Sequence, residues 1–260
     1  MPKSGQARVP SREEQQRLFE VIQQNRHPEK NMAIMQISFK LGLRAQEIAL
    51  LQIKEVAQLK PCGEFTLLKV MALPAAYTKG ADAMNRSKSE YERKTISFSK
   101  AAFDQMLLQV EKMVQAGATI QPEDFYPPVK KHRGRSRDLP MVDEALREAL
   151  NNYILLRLSK APHLKPSDPL FVTQKGGPYS PNTLQEHMAL MLRQWAGIEK
   201  ASSHSGRRAL LTDVIHNQKK SVKVAQKIAG HVSPSTTLIY EEPPEEVLSD
   251  ALANVGKSNR

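Results

Sequence analysis

The chain has 260 residues, one cysteine, and 38 Lys and Arg against 27 Asp and Glu, a formal charge of +11. That length suffices for one large or two small domains with a buried core, while the lone Cys62 excludes an internal disulfide or a thiolate metal cluster and suits a reducing compartment. No apolar run is long enough to span a bilayer, and the N-terminus MPKSGQARVP has no apolar signal core.

The basic excess points to a polyanionic partner, most simply nucleic acid. Aromatic content of 5% is too low for a base-stacking surface, which favours backbone contact with a duplex.

In chain order, residues 1–10 read as a flexible basic arm. Ser11 and Glu14 form a capping box ahead of Leu18, Val21 and Ile22 at helical spacing. Residues 31–59 read as two helices interrupted at Gly42, with Ile48 and Leu51 on one face of the second. The stretch 64–73 has the composition of a strand, 77–90 is a basic loop, 93–99 a second strand, and 100–114 a helix. A Pro-rich break at 121–128 precedes a basic hairpin at 129–141. A helix over 142–158 follows, with Leu146, Leu150, Ile154 and Leu158 in line. Leu170, Phe171 and Val172 form a short buried strand or turn, and from Ser180 the chain is helical almost to Tyr240.

Charge is segregated: residues 200–240 hold seven Lys or Arg and one acid, whereas 241–250 hold five acids and no base.

Four short patterns carry chemistry. Arg44 and Glu47 lie one helical turn apart in Leu41-Gly42-Leu43-Arg44-Ala45-Gln46-Glu47. His204 and Arg207 do the same in Ser203-His204-Ser205-Gly206-Arg207-Arg208. Ala229-Gly230-His231 precedes a Ser/Thr-rich turn, and Tyr240 stands nine residues beyond His231. Each alone is ordinary structure: a surface pair, a solvated helix face, a turn, a core-edge tyrosine. In this order, and with Pro169-Leu170-Phe171-Val172 and Gly177-Pro178-Tyr179-Ser180 between them, they resemble the tyrosine recombinase (phage integrase) family from about Ser11 to Tyr240.

The resemblance implies an α+β fold, mainly α-helical, with a small antiparallel β-sheet, over residues 11–240. It implies DNA strand cleavage and rejoining without metal, ATP or other cofactor. Tyr240 would be the nucleophile, and its phenol, with a reference pKa of about 10, needs activation. Arg44 and Arg207 would clamp the phosphate as planar forks. His204 and His231 would donate hydrogen bonds or pass protons, and Glu47 would orient Arg44. Arg207 and Arg208 diverge by about 100° on a helix, so only Arg207 shares the face of His204. The family's general acid is a lysine on a β-hairpin. In His132-Arg133-Gly134-Arg135-Ser136-Arg137-Asp138-Leu139-Pro140-Met141 the turn and exit match, with Lys131 as the acid. Lys88 is the alternative. Lys130, Arg133, Arg135, Arg137, Lys219, Lys220 and Lys223 would hold the DNA backbone.

Two features depart from the family. Arg44 and Pro140 are 96 positions apart, so an insertion within about 60–125 is expected. The usual N-terminal core-binding domain is not among these residues, so the resemblance is to the catalytic domain only. Residues 241–260 read as an acidic helical tail with Val247, Leu248, Ala251, Leu252 and Val255 on one stripe. It would pack on its own core or dock on a neighbouring protomer.

The expected partners are double-stranded DNA, further copies of the chain as a tetramer on DNA, and a partner recombinase or accessory protein. The expected location is the bacterial cytoplasm, at the nucleoid, with a phage or plasmid origin compatible. A tyrosine DNA topoisomerase and a non-catalytic DNA-binding accessory protein are the alternatives.

Overall fold

The computed structural model describes residues 7–60, 63–77, 99–119 and 136–241, together with Ser249, Leu252 and Ala253. The chain divides into two units, residues 80–133 and the remainder.

In the larger unit, helix α1 (Arg12–Gln24) starts at the expected capping box, with the Ser11 hydroxyl accepting from Glu14 and the Glu14 carboxylate accepting from the Ser11 amide. Its Leu18 and Ile22 are buried against α2 (Pro28–Gln36). The helix runs on as a wider turn over Ile37–Leu41 and stops at Gly42, whose φ of +64° places it in the left-handed region. After this break comes α3 (Ala45–Leu50). Residues 7–10, expected within the flexible arm, are tied down instead: the Arg8 amide donates to the Lys200 carbonyl, and its guanidinium pairs with Glu14 at 2.9 Å.

The expected single strand at 64–73 is two strands. Strand β1 (Ala57–Leu59), not anticipated, pairs antiparallel with β2 (Phe65–Leu67), and β3 (Val70–Leu73) turns away to pair antiparallel with β4 (Arg137–Pro140). In the latter ladder Leu73 faces Arg137 and Met71 faces Leu139. Along β4, Arg137 and Leu139 are buried while Asp138 and Pro140 are exposed, the alternation a pleated strand imposes.

Helix α5 (Glu144–Lys160) is capped by the Asp143 side chain, which accepts from the Leu146 amide. It buries Leu146, Leu150 and Ile154 as the spacing predicts. Each such side chain contributes about 1.5–3 kcal/mol. Tyr153, on the same helix, stacks on Phe171 with ring centroids 5.2 Å apart. The Leu170 amide donates to Leu51, so the buried Leu170–Phe171 segment joins the α3 end of the core.

Helices α6 (Pro181–Leu190), α7 (Ser205–Thr212), α8 (Val222–Ala229) and the one-turn α9 (Ser235–Leu238) complete the larger unit. Helix α7 packs on residues 37–41 because Gly206 has no side chain: a Cβ there would come within 2.9 Å of the Phe39 ring and against the Ser38 hydroxyl. A second small core joins Leu211, Val214, Ile215, Ala225 and Ala229, with Tyr240 against it.

In the smaller unit, α4 (Lys100–Gln115) starts at Ser99, whose hydroxyl accepts from the Ala102 amide. The expected strand at 93–99, apart from Ser99, and the Pro-rich break at 121–128 lie outside the described residues, as does most of the 241–260 tail. No helix among the described residues is long and apolar enough to cross a membrane.

Candidate active site

The break at Gly42 sets Arg44 at the N-terminal end of α3. Its amide donates to Glu47 Oε2 at 2.8 Å, and its Nη1 to Glu47 Oε1 at 3.1 Å. Glu47 is fully buried, and its carboxylate is gripped from the other side by Arg137. Nη1 reaches Oε1 at 3.1 Å and Nη2 reaches Oε2 at 2.9 Å, a bidentate fork. Burial by itself would raise the Glu47 carboxyl. The Arg137 charge and hydrogen bonds, with Arg44 and Arg207, outweigh it and hold the group below its usual 4.5. Glu47 is therefore ionised at neutral pH.

Arg137 was expected to hold the DNA backbone, and the structure corrects this. It is 7% exposed, and its guanidinium faces inward to Glu47. The signal was present in the sequence: Leu139 is a core residue, and a strand places residues two apart on the same face.

Arg207, on α7, is 2% exposed. It donates to the Gly42 carbonyl, to the Ala229 carbonyl at 2.6 Å, and to His231 Nε2 at 2.9 Å. A guanidinium only donates, so His231 Nε2 accepts and the ring proton sits on Nδ1, which donates to Thr237 Oγ1 at 2.9 Å. Burial, and then the charges of Arg207, Arg44 and Arg137, push the His231 imidazolium down to about 3, so the ring is neutral. Burial and the neighbouring arginines lower Arg207 to about 10, still charged at neutral pH.

Tyr240 completes the arrangement from the same chain. Its ring stacks on His231, with centroids 5.9 Å apart and planes 17° from parallel, and the Arg208 guanidinium lies 5.8 Å over it. His216 Nε2 donates to the Tyr240 carbonyl at 3.0 Å, and the Tyr240 amide donates to Thr237. Thr237 and His216 were given no role from the sequence, and Arg208 was named only as diverging from the face of His204. Their roles depend on the turn between α8 and Tyr240 folding back, for which no short motif exists.

Around Glu47 three arginines therefore converge with one carboxylate, leaving a net positive site. Its most accessible guanidinium belongs to Arg44, whose side chain is 22% exposed. Such a site suits an anion of phosphate geometry. His204 is exposed at the start of α7, and Lys219, Lys220 and Lys223 are exposed at and before α8. Lys88, Lys130, Lys131, Arg133 and Arg135 lie outside the described residues.

The model of the phage integrase family matches residues 109–246, just over half of the chain, and the chain belongs to that family. It carries a tyrosine recombinase catalytic domain. Among curated relatives, tyrosine recombinase XerC of Methylobacterium nodulans is 39% identical over 85 residues, which cover 32% of this chain and 26% of that protein. XerC of Methylobacterium sp. (strain 4-46) is 35% identical over 108 residues, 41% of this chain and 32% of that one. These matches span only about a quarter to a third of the relatives' length. The fold is that of XerA recombinase (TM-score 0.59, 20% identity, all of this chain and 67% of the other). It is also that of XerH site-specific recombinase bound to palindromic difH substrate (TM-score 0.59, 17% identity, 98% and 55%).

Proposed function

We propose that this chain is the catalytic part of a site-specific DNA recombinase that breaks and rejoins a duplex through a phosphotyrosine. The observation that carries the reading is the convergence of Arg44, Arg207, His231 and Tyr240 on one positive site within one chain. A pure DNA-binding protein has no physical need to bury two arginines and stack a tyrosine on a neutral histidine. The names of the relatives and the DNA-bound XerH support the same reading.

In the proposed reaction the Tyr240 oxygen attacks the scissile phosphorus and gives up its proton to solvent. The new P–O bond forms as the bond to the 5′ oxygen breaks, and that oxygen takes a proton and leaves as a hydroxyl. Arg44 and Arg207 neutralise the charge that builds on the non-bridging oxygens. His204 donates a further hydrogen bond. Lys131, or Lys88 in its stead, supplies the leaving-group proton. One phosphoester replaces another, so the energy is retained and a 5′-hydroxyl can reverse the step. Exposed Lys219, Lys220 and Lys223 hold the backbone. Integration, excision or resolution of a mobile element in a bacterial cytoplasm, by several protomers together, is the setting the reading assigns.

The test is covalent trapping. Protein is incubated with fragmented genomic DNA and denatured, and the protein-linked strands are sequenced, with Tyr240→Phe in parallel. Linked ends clustered at a few sequences in wild type and absent from the variant are expected. Scattered ends would instead identify a topoisomerase, and tight binding with no linked DNA an accessory binder.

A further inference from the structure

We infer that Arg137 is the positioning residue that sets the phosphate-binding arginine Arg44, acting through Glu47, and ties the β3–β4 ladder and the His231 turn to it. This rests on the function proposed above.

The observations are geometric. Glu47 receives four hydrogen bonds, two from Arg44 and two from Arg137, so both oxygens are shared between an accessible arginine and a buried one. Arg44 can swing with its carboxylate partner unless that partner is held, and the fork from Arg137 fixes its plane. Arg137 begins β4, opposite Leu73, so its position is itself set by the ladder. The same guanidinium lies against Gly230, the residue before His231. There φ is +64°, and a Cβ would meet Arg137 Nη1, with Cδ at 3.1 Å and Cζ at 3.2 Å. One side chain thus touches the α3 carboxylate and the turn that delivers His231, while its backbone belongs to β4. Lysine in its place keeps the charge but gathers its donors on a single nitrogen, so it lacks the planar fork that fixes the carboxylate plane.

The test measures binding of a fluorescein-labelled duplex of random sequence across a salt series, for wild type, Arg44→Ala, Arg137→Lys and the double variant. Any duplex presents a phosphate to Arg44, and each lost phosphate contact reduces the slope of log affinity against log salt by about 0.9. Arg137→Lys is expected to lose the same slope as Arg44→Ala, and the double variant no more than either. A structural residue would change the melting temperature and leave the slope unchanged, which would overturn the inference. Additive slope losses would also overturn it, since Arg137 would then meet phosphate itself. Wild type that binds no duplex would overturn the proposed function and the inference together. If Arg137→Lys does not fold by circular dichroism, Glu47→Leu with Arg137→Met replaces the buried pair by apolar groups. That double variant is expected to show the same loss of slope.

Discussion

Arg207 Nη2 and His231 Nε2 lie 2.9 Å apart, and the direction of that hydrogen bond decides the state of the histidine. Because the arginine donates, the imidazole is neutral with its proton on Nδ1, toward Thr237. Nitrogen chemical shifts of the His231 ring should report this tautomer unchanged from pH 8 to about pH 5, well above the value near 3 to which burial and the arginines depress it. An imidazolium spectrum at pH 6 would contradict the arrangement. Thr237→Val should remove the acceptor on Nδ1, loosening the ring and slowing formation of the proposed Tyr240 adduct.

The same depression makes stability pH-dependent, and His187 shares it. His187 lies between the rings of Tyr179 and Trp195, with Nε2 2.8 Å from Asn31 Oδ1. Burial, and then the charges of Lys30 and His27, lower it to about 4. A histidine depressed in the folded state lets the unfolded chain bind the proton first. The stability is therefore complete above the ordinary value of 6.5 and declines as pH falls toward 4. For His187 alone the loss by pH 5 is about 2 kcal/mol. Urea unfolding at pH 7.5 and pH 5 should show the decline, and His187→Gln should make it shallower. Equal stability at the two pH values would count against both buried histidines.

Glu47→Gln tests the buried charge. It keeps the size of the side chain but leaves the forked guanidinium of Arg137 without its anion. Removing one partner of a buried pair costs about 3–5 kcal/mol. A fall in the urea midpoint at an unchanged slope is expected, larger than for removing an exposed pair such as Lys60–Glu64, which contributes about 0–1 kcal/mol.

Gly206→Ala pits helix propensity against packing. An alanine is favoured in a helix by about 1 kcal/mol, yet its Cβ would press on Ser38 and Phe39. Overpacking of this kind costs about 1–3 kcal/mol, so a net loss of stability is expected in thermal melts. Pairing it with Phe39→Leu, which vacates part of the ring's space, should recover some of that loss. A Gly206→Ala protein that melts higher than wild type would show that α7 does not sit so close to residues 37–41.

Much of the helical fold was legible in the chain. The capping box at Ser11 and the spacing of Leu146, Leu150 and Ile154 are local patterns, and the helices they specify form where expected. The strand region was read less well. The strand-like composition of 64–73 does not reveal that Leu68 and Lys69 divide it between two partners, one local and one beyond the insertion.

The site divides in the same way. The sequence by itself determined which side chains are available and at what spacing: Arg44 with Glu47 and His204 with Arg207 are one turn apart, and His231 and Tyr240 follow in order, because helix periodicity and motif order are properties of the chain. What only the tertiary structure decided is how those groups are paired. Arg137 and Glu47 are 90 positions apart, and Arg207 and Gly42 are 165 apart. Strand alternation sets Arg137 on the face of Leu139, but no local spacing names Glu47 as its partner or records that an arginine's hydrogen bond leaves His231 neutral. Charge state and orientation depend on burial and on partners brought together by folding, and those are set by the packed core rather than by neighbours in sequence.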